Sequence, residues 1–152
     1  MIIAFAGHSV VSSSEEVKGK VREAIRSNIE NLTAVTFYLG GYGDFDKLCA
    51  CVCKELKQEN DSIEVVYITP YLSLAEQGKI KEMISCGLCD TSLYPPIENV
   101  PLRYAISKRN EWMMKNADLV IAYVNNDYGG AYKSLQVARR RKKKIINICD
   151  FI

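Results

Sequence analysis

Residues 36–53 read TFYLGGYGDFDKLCACVC. The stretch starts as a β-type run, turns through Gly40, Gly41 and Gly43, and becomes helical, with Leu48, Val52 and Leu56 recurring every fourth residue. Strand, glycine turn and helix in that order form the repeating unit of a parallel sheet. Such a turn ordinarily offers its backbone N–H groups to a phosphate. This one carries Asp44 and Asp46, which would repel a phosphate. The question is what a phosphate-type turn with two carboxylates binds.

Working outward, the same unit recurs. IIAFAG (2–7) is a short apolar run ending in glycine, as a buried parallel strand should be. Ser13 and Glu16 follow at capping-box spacing, and Val17, Val21, Ile25, Ile29 and Leu32 make a helical stripe. Strand two is AVTFYL (34–39), and its helix runs from Phe45 to Leu56. IEVVYI (63–68) is strand three, stopped by Thr69-Pro70. ADLVIAYV (117–124) and KIINI (144–148) are further strands, with a helix from about Tyr132 to Arg141 between them. Between Tyr71 and Pro101 the pattern weakens to a helix near Leu74–Ser85, a short strand near Cys89–Leu93 and the proline-rich loop YPPIENVP. This alternation implies an α/β fold: one Rossmann-like domain, a mostly parallel sheet of about five strands with helices on both faces.

Composition limits the function classes. The chain has 152 residues, enough for one hydrophobic core, with 48% apolar and 25% charged residues. No apolar run approaches the length of a membrane span, so no membrane partner is expected. No basic leader with an apolar segment is readable in MIIAFAG, so a cytoplasmic location is expected. Net charge is +2, unevenly spread: residues 103–144 hold eleven Lys/Arg against three acids, much of it in RRRKKK (139–144). That run reads either as a solvated helix end or as a nucleic-acid patch. Cys86 and Cys89 have zinc-knuckle spacing, and Cys49 and Cys53 would complete a set of four. With one His and no second CxxC, the six cysteines read as free thiols, and neither metal nor cofactor is expected.

In an open parallel sheet, ligands bind beyond the carboxyl ends of the strands. Each candidate motif falls at such an end: Gly7-His8-Ser9, then Gly40 to Asp46 with Gly41 and Gly43, then Pro70-Tyr71, then Asn125 to Ser134. In the last of these Gly129, Gly130 and Ala131 precede Lys133 and the Ser134 hydroxyl, a composition that suits a phosphate. Asp44 and Asp46 read either as helix N-caps or as acceptors for ribose hydroxyls or base amino groups. Together the two loops describe one nucleotide-type small molecule, with phosphate at one end and sugar or base at the other. Arg109, in a helix read over 102–116, interrupts an apolar face of Ala105, Ile106, Trp112 and Met113. Its guanidinium is expected either to be buried against an anion, Asp46 or a ligand phosphate, or to reach water at the edge of the face.

FAGHS (5–9), GGYGDFD (40–46), RNEWM (109–113) and ADLVIAYVNNDYGG (117–130) together resemble the SLOG superfamily, the Rossmann-like domains of Smf/DprA proteins and LOG nucleotide phosphoribohydrolases. The likeness is to its short bacterial and phage members and covers nearly the whole chain. It implies that residues 1–152 form a single nucleotide-binding domain, expected as a homo-oligomer, a dimer in the simplest case. Ser9 stands where the family usually has Arg. Arg109 matches the LOG catalytic arginine in spacing, and Asn110 follows it. Gly129 and Gly130 match the paired glycines, but Tyr132, Lys133 and Gln136 replace a Gly, a Thr and the catalytic Glu. Gln has no carboxylate for acid–base work. Three function classes therefore stand: a nucleotide sensor or sequestering module, an N-glycosidase using Arg109 with Asp46 or Asp44, and DprA-like single-stranded DNA binding, for which Tyr128 and Tyr132 are the nearby stacking surfaces.

Overall fold

The computed structural model of the chain describes residues 1–149. Strands and helices alternate: β1 (Ile2–Gly7), α1 (Ser14–Ile29), β2 (Val35–Leu39), α2 (Gly43–Glu59), β3 (Ile63–Ile68) and α3 (Leu74–Ser85). After β4 (Thr91–Leu93) a 3-10 turn over Leu102–Tyr104 leads into α4 (Ala105–Asn116). β5 (Leu119–Tyr123), α5 (Gly129–Arg140) and β6 (Lys144–Asn147) follow. The strands form one all-parallel sheet in the order β4-β3-β2-β1-β5-β6. The expected architecture is present, with six strands where about five were expected. The short strand expected near Cys89–Leu93 is β4, three residues pairing only with the edge of β3. It is too short to show a period.

The sheet is buried on both faces, which is why its strands read as unbroken apolar runs. On one face Val17, Val21 and Ile25 of α1 and Phe45, Val52 and Leu56 of α2 pack on Ile3, Phe5, Phe37 and Val65. On the other, Met113 and Met114 of α4 and Ala138 of α5 pack on Ala4, Ala6, Val66 and Val120. Small residues on that second face of β1 let α4 and α5 lie close to the strand. Cys49, Cys53 and Cys89 are buried thiols, and burial pushes all three up from the ordinary cysteine range.

Three helix starts differ from the sequence reading. Ser13 precedes α1 with φ 54 and makes no side-chain cap, so the capping-box spacing is unused. An N-cap that bonds its helix ordinarily has extended backbone, which Ser13 lacks. α5 begins at Gly129, one turn earlier than its apolar pattern, so the paired glycines are its first two residues. α2 likewise begins at Gly43, which puts both Asp44 and Asp46 in its first turn. Gly43 has φ +86, and a Cβ there would lie 2.8 Å from the Ser9 Cα. Only glycine fits.

The chain passes from β1 outward to β4, then returns to place β5 on the opposite side of β1. The order therefore reverses at β1, and the carboxyl ends of β2, β1 and β5 flank the point where parallel sheets open a crevice.

Candidate functional site

A cleft of about 650 Å³ opens at that point. Its walls are the loops after β1 (Gly7, His8, Ser9), after β2 (Gly40, Tyr42, Gly43, Asp46) and after β5 (Asn125, Asn126, Tyr128 to Ala131). Ile106, Arg109, Asn110 and Met113 of α4 and Ser134 of α5 close it.

The two glycine turns are used differently. At the amino end of α2 the N–H groups are already engaged: Asp44 N–H donates to the Ser9 carbonyl (2.9 Å) and Phe45 N–H to that of His8 (3.4 Å). The Asp44 carboxylate accepts from Val11 N–H at 3.2 Å, bracing the loop after β1. Two of the first N–H groups of that helix are thus already taken. At the amino end of α5 no side chain caps the helix, and its first turn holds no acid. The first N–H groups of a helix have no partner within it, and Gly129, Gly130 and Ala131, at the end whose dipole favours an anion, line the cleft. Gly129 has φ +88, and a Cβ on Gly130 would meet nothing within 4 Å. The space over these glycines is open.

Arg109 is 1% exposed. Its Nη1 donates to the main-chain carbonyls of Gly40 (2.8 Å) and Ile68 (2.6 Å), and its Nε to Asn110 Oδ1 (2.8 Å). The alternative of a head reaching water is corrected by this burial, and Asp46 makes no ion pair with Arg109, acting on it only through space. Carbonyls at the ends of β2 and β3 have no further strand residue to bond, and they serve as neutral acceptors instead. Among the described residues no carboxylate forms an ion pair with Arg109. Burial draws its pKa down, opposed by Tyr67 and Asp46. Leaving a guanidinium buried on neutral groups alone is costly.

Asp46 is the nearby acid. A Cβ added to Gly40 would lie 3.1 Å from Asp46 Oδ2 and 3.5 Å from Arg109 Nη2, so both side chains crowd that glycine. Oδ2 accepts from Tyr42 N–H at 3.0 Å. Burial nevertheless pushes the carboxyl up to about 6, with the Tyr42 N–H and Arg109 pulling the other way. The cleft therefore contains a buried cation and an acid that holds its proton to nearly neutral pH.

A second layer supports the loops. His8 Nε2 accepts from Asn125 N–H (2.9 Å), joining the loops after β1 and β5 and requiring the proton on Nδ1. Behind Tyr42, the buried Tyr67 hydroxyl donates to the buried Glu76 carboxylate at 2.6 Å. Lys79 Nζ stands 4.5 Å from the centre of the Tyr42 ring, and Arg109 Cζ 5.4 Å from it.

Of the residues singled out in the sequence, Gly41, Asp44, Tyr71 and Lys133 do not line the cleft; the others do. Gly41 backs onto Tyr67, Tyr71 is tied through its main chain to the Thr69 hydroxyl, and Lys133 points into a neighbouring groove with Gln136. Tyr42, 36% exposed, lines the cleft unanticipated, and Tyr128, 72% exposed, lines it beside the paired glycines. With nine tyrosines in the chain, position beside a glycine turn was the only available signal. No group of three or more His, Cys, Asp or Glu among the described residues is placed to hold a metal ion. Among them, no helix is long and apolar enough to cross a membrane.

No protein-family model and no curated protein sequence matches the chain. Solved structures do resemble it, two DprA proteins among them. One is DNA processing protein A (DprA) from Streptococcus pneumoniae, with a TM-score of 0.62 and 16% identity over 97% of this chain and 51% of that one. The other is DprA from Helicobacter pylori, described for its single-stranded DNA binding mode, with a TM-score of 0.59 and 14% identity over 95% of this chain and 63% of that one. The chain thus spans between half and two thirds of these proteins. At such identities the likeness is one of fold, and the chain shares the Rossmann-like fold found in DprA proteins.

Proposed function

We propose that the cleft binds a nucleotide or nucleotide derivative, and that the protein acts as a sensor or sequestering module for it. The phosphate lies on the amino end of α5, with the Arg109 cation beneath the cleft, and the sugar or base lies toward Asp46 and Tyr42. One observation carries this reading: Arg109, 1% exposed and in no ion pair among the described residues, borders the same cleft as Gly129, Gly130 and Ala131, the first residues of a helix that no side chain caps. A ligand phosphate supplies the charge that Arg109 lacks. The Asp46 carboxyl, accepting from a ribose hydroxyl or base amino group, accounts for an acid in a site otherwise suited to anions.

Thermal-shift measurements across nucleoside phosphates, cyclic nucleotides and ADP-ribose derivatives test the proposal, since any ligand of the folded state raises Tm. Gly130→Val should abolish the shift while leaving the unliganded Tm close to that of the parent. Its side chain occupies open space rather than protein, and valine at a helix start costs under about 1 kcal/mol. If no phosphate-bearing nucleotide stabilises the folded protein, the reading fails.

Two other readings have some support. Asp46, protonated up to about 6, has the character of a general acid for N-glycosidic cleavage. Gln136 stands where LOG enzymes carry their Glu and lines the adjacent groove rather than the cleft. Nucleoside monophosphates should therefore release no base at ordinary enzyme rates; release abolished by Asp46→Asn would establish the glycosidase instead. The DNA-binding description of the Helicobacter relative favours single-stranded DNA. A titration with oligonucleotides at several salt concentrations tests that, because phosphate contacts give a steep salt dependence.

A further inference from the structure

A second concavity of about 580 Å³ lies between α4 and α5 and continues the cleft, since Ile106, Asn110, Gly130 and Ser134 border both. Its walls carry Arg103 on one side and Lys133 and Arg140 on the other. None of these three cations forms an ion pair among the described residues. The one acid of the groove, Glu111, is already held by Lys108 (3.3 Å) and Lys115 (2.9 Å). Arg140 suits the carboxyl end of α5, where the helix dipole welcomes a cation. Lys133 does not: it lies one turn from the amino end, where the dipole disfavours positive charge. The two stand seven residues apart, two turns on one face, about 10 Å along the axis. A row of unpaired cations thus starts beside the proposed phosphate position and leads away from it.

We infer that the α4–α5 groove is a second anion subsite, and that the ligand of the cleft carries a further phosphoryl group that lies in it. This rests on the nucleotide reading of the cleft. The second group has two chemical sources, the outer phosphates of a nucleoside polyphosphate or the phosphodiester of a dinucleotide, and both present the same charge to Lys133, Arg103 and Arg140.

Calorimetric titration at low salt separates the possibilities. The probes are the 5′-mono- and 5′-triphosphates of adenosine, guanosine, cytidine and uridine, with the corresponding 5′-phosphorylated dinucleotides. For at least one base, the triphosphate or the dinucleotide should bind ten times tighter or more than the monophosphate, and added salt should shrink that ratio. The arm with the larger ratio identifies the source. An Arg103→Gln/Arg140→Gln variant should bring the ratio to within about twofold of unity and leave monophosphate affinity unchanged. An Arg139→Gln/Lys143→Gln variant, with the same change of charge outside the groove, should keep the ratio. The inference is overturned if monophosphates bind as tightly as the larger probes, or if the two variants behave alike. Binding of monophosphates with no such ratio leaves the cleft reading standing, whereas no binding by any probe removes both.

Discussion

Replacing Asp46 with Asn should stabilise the unliganded protein at neutral pH and leave its stability in acid nearly unchanged. Burial moves the carboxyl from 3.8 to about 6, despite the Tyr42 N–H and Arg109. Each tenfold change in proton affinity corresponds to about 1.4 kcal/mol, so the full displacement corresponds to roughly 3 kcal/mol. Asp46 is only half-buried, and solvent screening reduces that to an expected 1–2 kcal/mol or so. The sign follows from which state loses its proton first. Below the unfolded value of 3.8 both states are protonated and the group contributes no difference. As pH rises toward 6 the unfolded chain ionises first, so native stability is lost across that window and stays lost above it. Asn does not titrate, and its Oδ1 can still accept from Tyr42 N–H. Urea unfolding followed by circular dichroism, from about pH 3.5 to about pH 7.5, should therefore show two curves that coincide in acid and separate through the carboxylate range, the variant lying above. A difference that does not change with pH, or a variant less stable at neutral pH, would refute the reasoning. The latter would mean that attraction between ionised Asp46 and Arg109 outweighs the desolvation of the acid.

Arg109→Lys should weaken nucleotide binding at least tenfold in the same calorimetric titration, because a lysine cannot hold two strand-end carbonyls and a phosphate with one planar group. Affinity equal to the parent's would remove Arg109 from the centre of the site. Gly7→Ala should lower stability by about 1–3 kcal/mol in urea unfolding, the usual cost of overpacking. The added Cβ would lie 2.2 Å from Phe45 Cδ2, and α2 would have to shift from β1. A variant as stable as the parent would show that the contact between β1 and α2 is loose.

The elements that could be read in advance were those whose signal is local. β1, β2, β3 and β5 are continuous apolar runs because helices cover both sides of them, and α1 and α2 carry stripes that meet the sheet. β4 could be read only loosely, as a short strand near Cys89–Leu93, because its three residues contain no period and pair with one neighbour. The start of α5 escaped because glycine opposes helix formation everywhere except at an end. Arg109 stood out as a charge within an apolar helix face, but its acceptors did not. Main-chain carbonyls of Gly40 and Ile68, 69 and 41 residues away, leave no trace in side-chain identity. The same holds for Asp44, whose role depends on an N–H group 33 residues earlier. The pattern of residues thus located the cleft, and bonds to main-chain groups, distant for Asp44 and local for Asp46, decided what each carboxylate does.

Those bonds also bear on the time course of binding. The loop from His8 to Val11 is held on one side by α2, through the Ser9 and His8 carbonyls and the Asp44 carboxylate. On the other side it is held by β5 and the loop after it, through His8 N–H to the Tyr123 carbonyl and Asn125 N–H to His8 Nε2. A floor fastened from both flanks has little backbone freedom to surrender when a guest arrives, so little of the interaction energy goes into ordering it. Encounter and capture should then merge into one bimolecular step, without the slow unimolecular phase that a closing loop imposes. The cleft behaves as a socket, and its selectivity is exercised at the moment of contact.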